Sequence, residues 1–253
     1  MNKMNVAAQL YTLRNFLKTP EDVGKTLKKV KAIGYNAVQA SGVGPIDPQV
    51  LRQLADEAGV RICATHISYD RLKNDLNAVI EDHRTWDCRY VGLGSMPQQF
   101  RSSKDGYIAF AKEFNEISKR IFDQGLKFIY HDHNFEFEKF DGMTGMDLLL
   151  SNTDPETFGF ELDTYWIQAG GANPVEWIKK AEGRMEVVHF KDMAIKDRQQ
   201  QFAEIGEGNL NWRAIIDACR ETKVQWYAVE QDECQRDPFE SLKMSLTYLK
   251  KFF

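Results

Sequence analysis

Two histidines and two carboxylates directly after an apolar run are the first feature of this sequence that could perform chemistry. The apolar residues 128–130 lead into His131, Asp132 and His133, and Glu136 follows three positions later. Imidazole and carboxylate groups bind divalent cations and transfer protons near neutral pH. A buried parallel strand is apolar on both faces, so we interpret the run as such a strand whose polar C-terminal end opens into a site. The alternative interpretation is a strand that ends in a solvated loop.

Other apolar runs of the chain end in polar residues of the same types. Asp163, His189 and Glu230 each belong to an otherwise apolar run. Charged side chains are almost never buried unless they are paired or bind a metal, so several of them at one end of adjacent strands indicate a shared site. His83, by contrast, lies between charged residues of a helical segment, and we expect its side chain in solvent. Further polar residues at the predicted strand ends are His66, Lys191, Gln231 and Asp232.

Short β-branched and aromatic runs alternate with longer amphipathic segments along the whole chain. We predict strands at residues 6–11, 36–40, 61–66, 90–94, 126–131, 158–163, 185–190 and 226–230. We predict helices at residues 20–34, 48–58, 70–84, 105–124, 145–151, 174–181, 210–222 and 238–252, and a polar loop at 192–208. These eight strand–helix units predict one α/β domain over residues 1–253, a (β/α)8 TIM barrel with its active site at the C-terminal strand ends. The alternative fold is a doubly wound open sheet.

Composition argues against several classes of partner. A formal net charge of -4 and a pI near 5.8 argue against nucleic acid, whose phosphates need a basic face. No segment approaches the ~20 apolar residues of a membrane span, and residues 1–4 lack the apolar region of a signal peptide. We therefore expect no membrane partner and a cytoplasmic location, unless the sequence lacks a leader peptide. No GxGxxG or P-loop pattern is present, so we expect no nucleotide cofactor.

The predicted strand ends offer oxygen and nitrogen ligands. Carboxylates and imidazoles suit one divalent metal ion, such as Mn²⁺, Zn²⁺, Co²⁺ or Mg²⁺. Two Glu, one Asp and one His would leave room for two substrate oxygens, as an open catalytic site needs. On the fifth strand, either His131 or Glu136 could supply the fourth ligand. No cysteine lies at a strand end, no CxxC pair is present and we expect reduced thiols. The four cysteines are Cys63, Cys88, Cys219 and Cys234.

Six short motifs follow one another at successive predicted strand ends. They are residues 9–14 (Gln-Leu-Tyr-Thr-Leu-Arg), 130–137 (Tyr-His-Asp-His-Asn-Phe-Glu-Phe), 161–166 (Glu-Leu-Asp-Thr-Tyr-Trp), 189–192 (His-Phe-Lys-Asp), 206–208 (Gly-Glu-Gly) and 229–231 (Val-Glu-Gln). Through these motifs the whole chain resembles the xylose isomerase-like TIM barrel superfamily, specifically its sugar phosphate isomerase/epimerase branch. The resemblance implies a small-molecule sugar or polyol ketone as substrate. It also implies self-association, since related barrels often form dimers or tetramers.

The resemblance implies a set of metal ligands. Ketose 3-epimerases of this superfamily bind one divalent ion through Glu, Asp, His and Glu from strands five to eight. The last three ligands correspond to Asp163, His189 and Glu230. At the position of the first, this chain has His131, and Glu136 comes five residues later. We predict Glu136 as the ligand because an anionic oxygen preserves the charge of the site, with His131 binding substrate or supporting the ligand.

The implied mechanism is proton transfer next to a carbonyl through an enediolate, which the metal ion stabilises. A base on one face removes the carbon-bound proton and an acid on the other face returns it. We assign these roles to Glu136 and Glu230, with His133 as a further acid or base. Glu207 lies in a glycine loop that could reach substrate or could simply enter a helix. The predicted substrate-binding residues are His66, His131, Lys191, Trp166, Glu207 and Tyr11.

Four functions compete at this point. The first is a metal-dependent sugar isomerase or epimerase. The alternative is a lyase of the same superfamily, an inosose-type dehydratase or a 3-keto-glycoside eliminase, in which a histidine protonates the leaving oxygen. A hydrolytic role like that of the apurinic endonuclease of the superfamily needs more histidines and a basic face. A sugar-binding barrel without catalytic activity is the fourth.

Overall fold

The computed structural model describes residues 4–252 and contains a closed barrel of eight parallel strands. Residues 1–3 and 253, to which the predicted domain and the N-terminal prediction extend, lie outside the described residues. The strands in chain order, with two additional hairpins, are β1 (Asn5–Gln9), β2 (Ala37–Ala40), β3 (Arg61–His66), β4 (Tyr90–Leu93), β5 (Lys127–His131), β6 (Lys139–Phe140), β7 (Met143–Thr144), β8 (Phe158–Asp163), β9 (Val187–Phe190), β10 (Asp192–Lys196), β11 (Gln199–Ala203) and β12 (Trp226–Val229).

Strand pairing closes the barrel. β1 pairs in parallel with both β12 and β2, and the order around the barrel is β1-β12-β9-β8-β5-β4-β3-β2. An open sheet would leave two strands with one neighbour each. The predicted TIM barrel is therefore confirmed, and the doubly wound open sheet is wrong.

Helices surround the barrel and begin at clear sequence signals. Thr19 accepts a hydrogen bond from the Asp22 amide and precedes a proline, and Asp47 caps the next helix in the same way. None of the helices between residues 4 and 252 is long and apolar enough to cross a membrane. The α-helices are α1 (Pro20–Ile33), α2 (Pro48–Ala58), α3 (Tyr69–Asn74), α4 (Leu76–Trp86), α5 (Lys104–Phe122), α6 (Gly145–Asn152), α7 (Thr164–Ala169), α8 (Pro174–Lys180), α9 (Trp212–Glu221) and α10 (Pro238–Leu249).

Two of the differences between predicted and observed elements have a clear local cause. The first strand ends at Gln9, because the Gln9 side chain accepts a hydrogen bond from the Tyr11 amide and begins the 3-10 helix Leu10–Phe16. The helix predicted over 70–84 is two helices, α3 and α4, which meet at Asp75, whose φ of -139° and ψ of 35° are not helical.

The polar loop predicted over 192–208 contains the antiparallel hairpin of β10 and β11. Asp192 holds the segment after the hairpin against the barrel. Its carboxylate accepts hydrogen bonds from the amides of Gly206 and Gly208 and, at 2.6 Å, from the indole Nε1 of Trp212. A Cβ on Gly208 would lie 2.3 Å from Asp192 Oδ1, so the close approach requires glycine there.

Side chains inside the barrel change from apolar to polar along each strand. Ala7, Ala37 and Val187 pack in one interior cluster with Ile129. Two residues further along the same strands come Gln9, Gln39, His189 and His131, which are also buried. Because alternate residues of a strand share a face, an apolar layer fills the lower barrel and a polar layer forms its top.

His83 contradicts the prediction of a solvent-exposed side chain. Its imidazole is fully buried, with Nε2 2.8 Å from Thr65 Oγ1 and Nδ1 2.7 Å from the Val79 carbonyl oxygen. Val79, His83 and Trp86 lie on the same buried face of α4. The charged neighbours in sequence point elsewhere, because adjacent residues of a helix do not share a face. Burial lowers the pKa of His83 to about 4.

Candidate functional site

Four buried side chains from successive barrel strands meet at the C-terminal end of the barrel. His131 ends β5, Asp163 ends β8, His189 lies in β9 and Glu230 directly follows β12. One ligand atom from each lies within 4.8 Å of the others. These four residues are referred to below as the metal-ligand group. The sequence prediction named three of them as ligands, and the structure brings those three together.

Glu136 is not part of this group, which differs from the prediction that it supplies the fourth ligand. It lies in the 3-10 turn after β5, and its carboxylate accepts hydrogen bonds from the Tyr130 hydroxyl and, at 2.8 Å, from the His133 amide. Tyr130 packs between the strands and α5, with its ring 5.5 Å from that of Phe110. The carboxylate is therefore bound beside the barrel wall, and His131 occupies the fourth position. Burial raises the pKa of Glu136 to about 8.

The group offers nitrogen and oxygen atoms that could bind a divalent ion, and some of them have no hydrogen-bond partner among the described residues. In residues 4–252, Asp163 Oδ2 and His131 Nδ1 are buried without a hydrogen-bond partner. His189 Nε2 lies 2.7 Å from Gln39 Oε1, an acceptor only, so Nε2 carries a proton. Burial would lower the pKa of His189, but the carboxylates of Glu161 and Glu230 outweigh this and raise it well above its usual value. Loss of the Nδ1 proton would leave a lone pair on the nitrogen that faces Glu230 Oε2 at 3.1 Å. Nitrogen and oxygen donors of this kind suit the divalent ions that the sequence predicts.

Glu161 and Gln39 support the group from below, and sequence reasoning missed both. The Glu161 carboxylate lies 2.6 Å from His66 Nε2 and accepts a hydrogen bond from Gln39 Nε2 at 2.9 Å. Burial raises the pKa of Glu161, but the charges of His189 and His66 outweigh this and lower it to about 2. The signal was present in the sequence, since Glu161 precedes Asp163 by two residues and must share its face of the strand.

A second group of possible ligand atoms comprises His66, His131, Glu161 and His189. Its atoms are already engaged with one another, because Glu161 binds His66 and His189 binds Gln39. The first group contains two carboxylates, and within residues 4–252 its Asp163 Oδ2 has no hydrogen-bond partner, although Lys191 Nζ lies 2.9 Å away. It is therefore the better candidate for a metal. The second group serves as a hydrogen-bonded support that orients His189.

Lys191 is fully buried beside the metal-ligand group. Its Nζ lies 2.9 Å from Asp163 Oδ2, 2.7 Å from Glu230 Oε2 and 2.8 Å from Asp232 Oδ2. Burial alone would lower the pKa of the ammonium group, but these three carboxylates raise it well above its usual value. The predicted role in substrate binding is not supported by this position, because the side chain does not reach the cavity described next.

A cavity of about 370 Å³ opens above the group. Of the predicted site residues, Tyr11, His66, His131, His133 and Glu230 line it. Further lining residues are Ser41, Ile67, Ser68, Tyr69, Leu93, Gly94, Ser95 and Asp232.

Besides Lys191, two more predicted substrate-binding residues, Trp166 and Glu207, are outside the cavity lining. Trp166 packs with its ring 5.3 Å from that of His133 and 5.7 Å from that of Phe202. Glu207 is exposed in the loop that Asp192 holds, and it is not among the residues that line the cavity. The helix-entry interpretation of that loop fits its position, since α9 begins five residues after Glu207.

Comparison with known proteins agrees with this architecture. The family model described as "Xylose isomerase-like TIM barrel" matches residues 27–252. An inosose dehydratase of Lacticaseibacillus casei is 25% identical, with 89% of this chain and 88% of that protein covered. An inosose dehydratase of Geobacillus kaustophilus is 23% identical over 90% of this chain and 86% of its own.

Solved structures with the same fold include both isomerases and dehydratases by name. A sugar phosphate isomerase/epimerase from Parabacteroides distasonis has 26% identity and a TM-score of 0.83, covering 98% of both chains. A probable 3-DHS dehydratase from Bacillus anthracis has 13% identity and a TM-score of 0.75, covering 98% of this chain and 99% of its own, and shows the fold alone. With the family model matching most of its length, this chain belongs to the xylose isomerase-like TIM barrel family.

Proposed function

We propose that this protein is a metal-dependent enzyme that removes the proton next to the carbonyl of a polyhydroxylated ketone and then eliminates water. The observation that carries the proposal is the placement of the metal-ligand group at the floor of a cavity. The other ionisable groups in the cavity lining are imidazoles, carboxylates and phenols. The similarity to proteins named inosose dehydratase supports elimination of water as the second step.

His131, Asp163, His189 and Glu230 would hold the ion. A divalent cation there would supply Lewis-acid polarisation of the ketone oxygen, which acidifies the neighbouring carbon. Burial of the four side chains excludes water and strengthens every charge interaction at the site. Gln39 and Glu161 fix the side chains of His189 and His66 before substrate arrives.

Histidines and one carboxylate of the cavity wall would move the protons. Glu230 faces the cavity and is placed to accept the carbon-bound proton. His66 and His133 line the same cavity. Burial lowers the pKa of His133 to about 4, so we assign His66 to donate a proton to the departing hydroxyl, which leaves as water as the double bond forms. His66 Nε2 lies 2.6 Å from Glu161 Oε2, so Nδ1, which lies 3.4 Å from Ser41 Oγ, is the nitrogen that would serve the substrate.

Isomerisation or epimerisation is the second candidate function, favoured by the Parabacteroides distasonis relative. An epimerase that transfers the proton between two faces needs an acid and a base on opposite sides of the carbon. The pair predicted for that purpose, Glu136 and Glu230, is not brought together, because Glu136 is bound to Tyr130 and His133. Elimination needs a proton donor for the leaving oxygen, and the imidazoles of the cavity supply one.

The lining of the cavity favours an uncharged substrate. No lysine or arginine of residues 4–252 lines it, whereas the carboxylates of Glu230 and Asp232 do. Arg101, in the neighbouring loop, is occupied by the Met96 carbonyl and lies 3.8 Å from the centroid of the Phe135 ring. Proteins bind phosphate through Arg, Lys or exposed amides. We therefore propose a neutral sugar or cyclic polyol ketone rather than a phosphorylated one.

The proposal is tested by incubating the Mn²⁺-loaded protein with inososes, ketoses and ketose phosphates in D2O and following the products by NMR. Loss of water from a neutral ketone is expected. Deuterium at carbon in an unchanged skeleton would favour the isomerase instead. Asp163→Asn should lose both activity and metal, whereas the exposed control Asp123→Asn should lose neither. Full activity in Asp163→Asn, or no exchange with any substrate, would contradict the proposal.

A further inference from the structure

Lys191 carries a buried ammonium group that forms ion pairs with three carboxylates. Its Nζ lies within 2.9 Å of three carboxylate oxygens, from Asp163, Glu230 and Asp232. Within residues 4–252, however, Nζ has no partner in hydrogen-bond geometry, and neither has Asp163 Oδ2 or Asp232 Oδ2. An ammonium group donates three hydrogen bonds when it is well bound. Lys191 is therefore held by three close ion pairs rather than by well-aligned hydrogen bonds.

Two of these oxygens, from Asp163 and Glu230, belong to the metal-ligand group itself. His189 Nδ1 lies 3.1 Å from Glu230 Oε2 and 3.8 Å from Asp163 Oδ2, the same atoms that approach Lys191. A divalent ion bound by Asp163, His189 and Glu230 would therefore share these oxygens with the ammonium group. Like charges a few ångströms apart repel strongly in a buried site.

The third carboxylate gives the ammonium group an alternative partner. Asp232 is outside the metal-ligand group, and a quarter of its side-chain surface is exposed. On another side, the rings of Trp166 and Phe202 have centroids 5.3 and 5.7 Å from Nζ, within reach of cation–π attraction. Lys191 can therefore release Asp163 and Glu230 while it keeps Asp232 and the aromatic rings.

We propose that Lys191 is an internal counter-ion that competes with the divalent ion for Asp163 and Glu230 and so lowers the metal affinity of the site. The inference rests on the proposed metal-dependent function. Without the ion, the ammonium group balances buried carboxylates that would otherwise repel one another. With the ion bound, it moves toward Asp232.

The first test measures Mn²⁺ binding by the purified protein, with free Mn²⁺ followed by EPR. Lys191→Met should bind Mn²⁺ on the order of tenfold more tightly or better, because the repulsive charge is gone. The metal-free variant should also melt at a lower temperature than the wild type, and saturating Mn²⁺ should raise its melting temperature by more. Lys127→Met, at the opposite end of the barrel beside Glu186, is the matched control and should leave Mn²⁺ affinity unchanged.

A charge-balanced pair of variants covers the case in which Lys191→Met does not fold. The double variant Lys191→Met/Asp232→Asn removes one positive and one negative charge and keeps every metal ligand. It should bind Mn²⁺ more tightly than Asp232→Asn alone. An equal or weaker affinity in the double variant, or in Lys191→Met relative to wild type, would overturn the inference.

The outcomes also separate this inference from the proposed function. If the wild type binds Mn²⁺ and Lys191→Met binds it no better, only the role of Lys191 is refuted. If the wild type fails to bind and Lys191→Met binds, competition is supported and a metal-dependent reaction of the wild type is refuted. If neither binds, both ideas are refuted.

Discussion

His83 should make the free energy of unfolding depend on pH, because its imidazole stays neutral in the folded protein. The ring is fully buried and bound by Thr65 Oγ1 and the Val79 carbonyl. Burial is the main cause that lowers its pKa to about 4, while the weaker effects of Asp82 and Arg71 oppose each other. Thr65 directly precedes His66, so the buried pair also lies next to the end of β3 at the candidate site.

The sign and the size of the pH effect follow from the pKa of His83 in the unfolded and in the folded protein. In the unfolded chain, His83 takes up a proton below about pH 6.5, whereas in the folded protein it does so only near pH 4. Between these values the unfolded state binds more protons, so the free energy of unfolding falls as the pH falls. One pKa unit corresponds to ~1.4 kcal/mol, so His83 should lower stability by about 2 kcal/mol at pH 5 and about 3 kcal/mol near pH 4.

Urea unfolding followed by circular dichroism, at several pH values from 7 to 4.5, measures this effect. His83→Gln is the comparison, because its amide can still bond Thr65 and Val79 but does not titrate. Other groups titrate in both proteins and cancel in the difference. The variant should be less stable at pH 7, and the gap should narrow by about 2 kcal/mol on going to pH 5. Parallel stability curves would refute the argument that burial keeps His83 neutral.

Three further predictions concern the site and its support. Glu136→Gln should keep full metal content, because Glu136 binds Tyr130 and His133 rather than the ion, whereas His131→Ala should bind Mn²⁺ at least about tenfold more weakly; loss of metal in Glu136→Gln would restore the sequence prediction. Asp192→Asn should lower the free energy of unfolding in urea by about 2–3 kcal/mol, since its carboxylate accepts several buried hydrogen bonds. The control Asp217→Asn, whose side chain is 41% exposed, should change it by less than about 1 kcal/mol. Removing metal with EDTA should abolish activity and lower the melting temperature, with Mn²⁺ restoring both; activity that survives exhaustive chelation would contradict the metal-dependent proposal.

Periodicity was enough to predict the barrel and part of the site. Apolar runs that alternate with amphipathic segments predicted all eight barrel strands, and the polar residues that end them identified Asp163, His189 and Glu230. The reason is geometric, because parallel strands of a closed barrel bring their C-terminal ends to one side. Glu161 and Gln39 were predictable by the same rule of alternate faces, although only the strand ends were used.

The tertiary structure decided where side chains outside the strands point. Glu136 has the charge expected of a ligand, but the hydroxyl of Tyr130 on the outer face of β5 binds it there, and His131 is the residue that lies with Asp163, His189 and Glu230.

The burial and the binding partners of His83 and Lys191 were also decided by tertiary contacts. The carboxylates around Lys191 come from β8 and from the segment after β12, and the partner of His83 comes from β3. Local sequence determined which residues reach the top of the barrel. Contacts between residues distant in the chain determined which of them face the site, because burial requires each polar group to find its own partner.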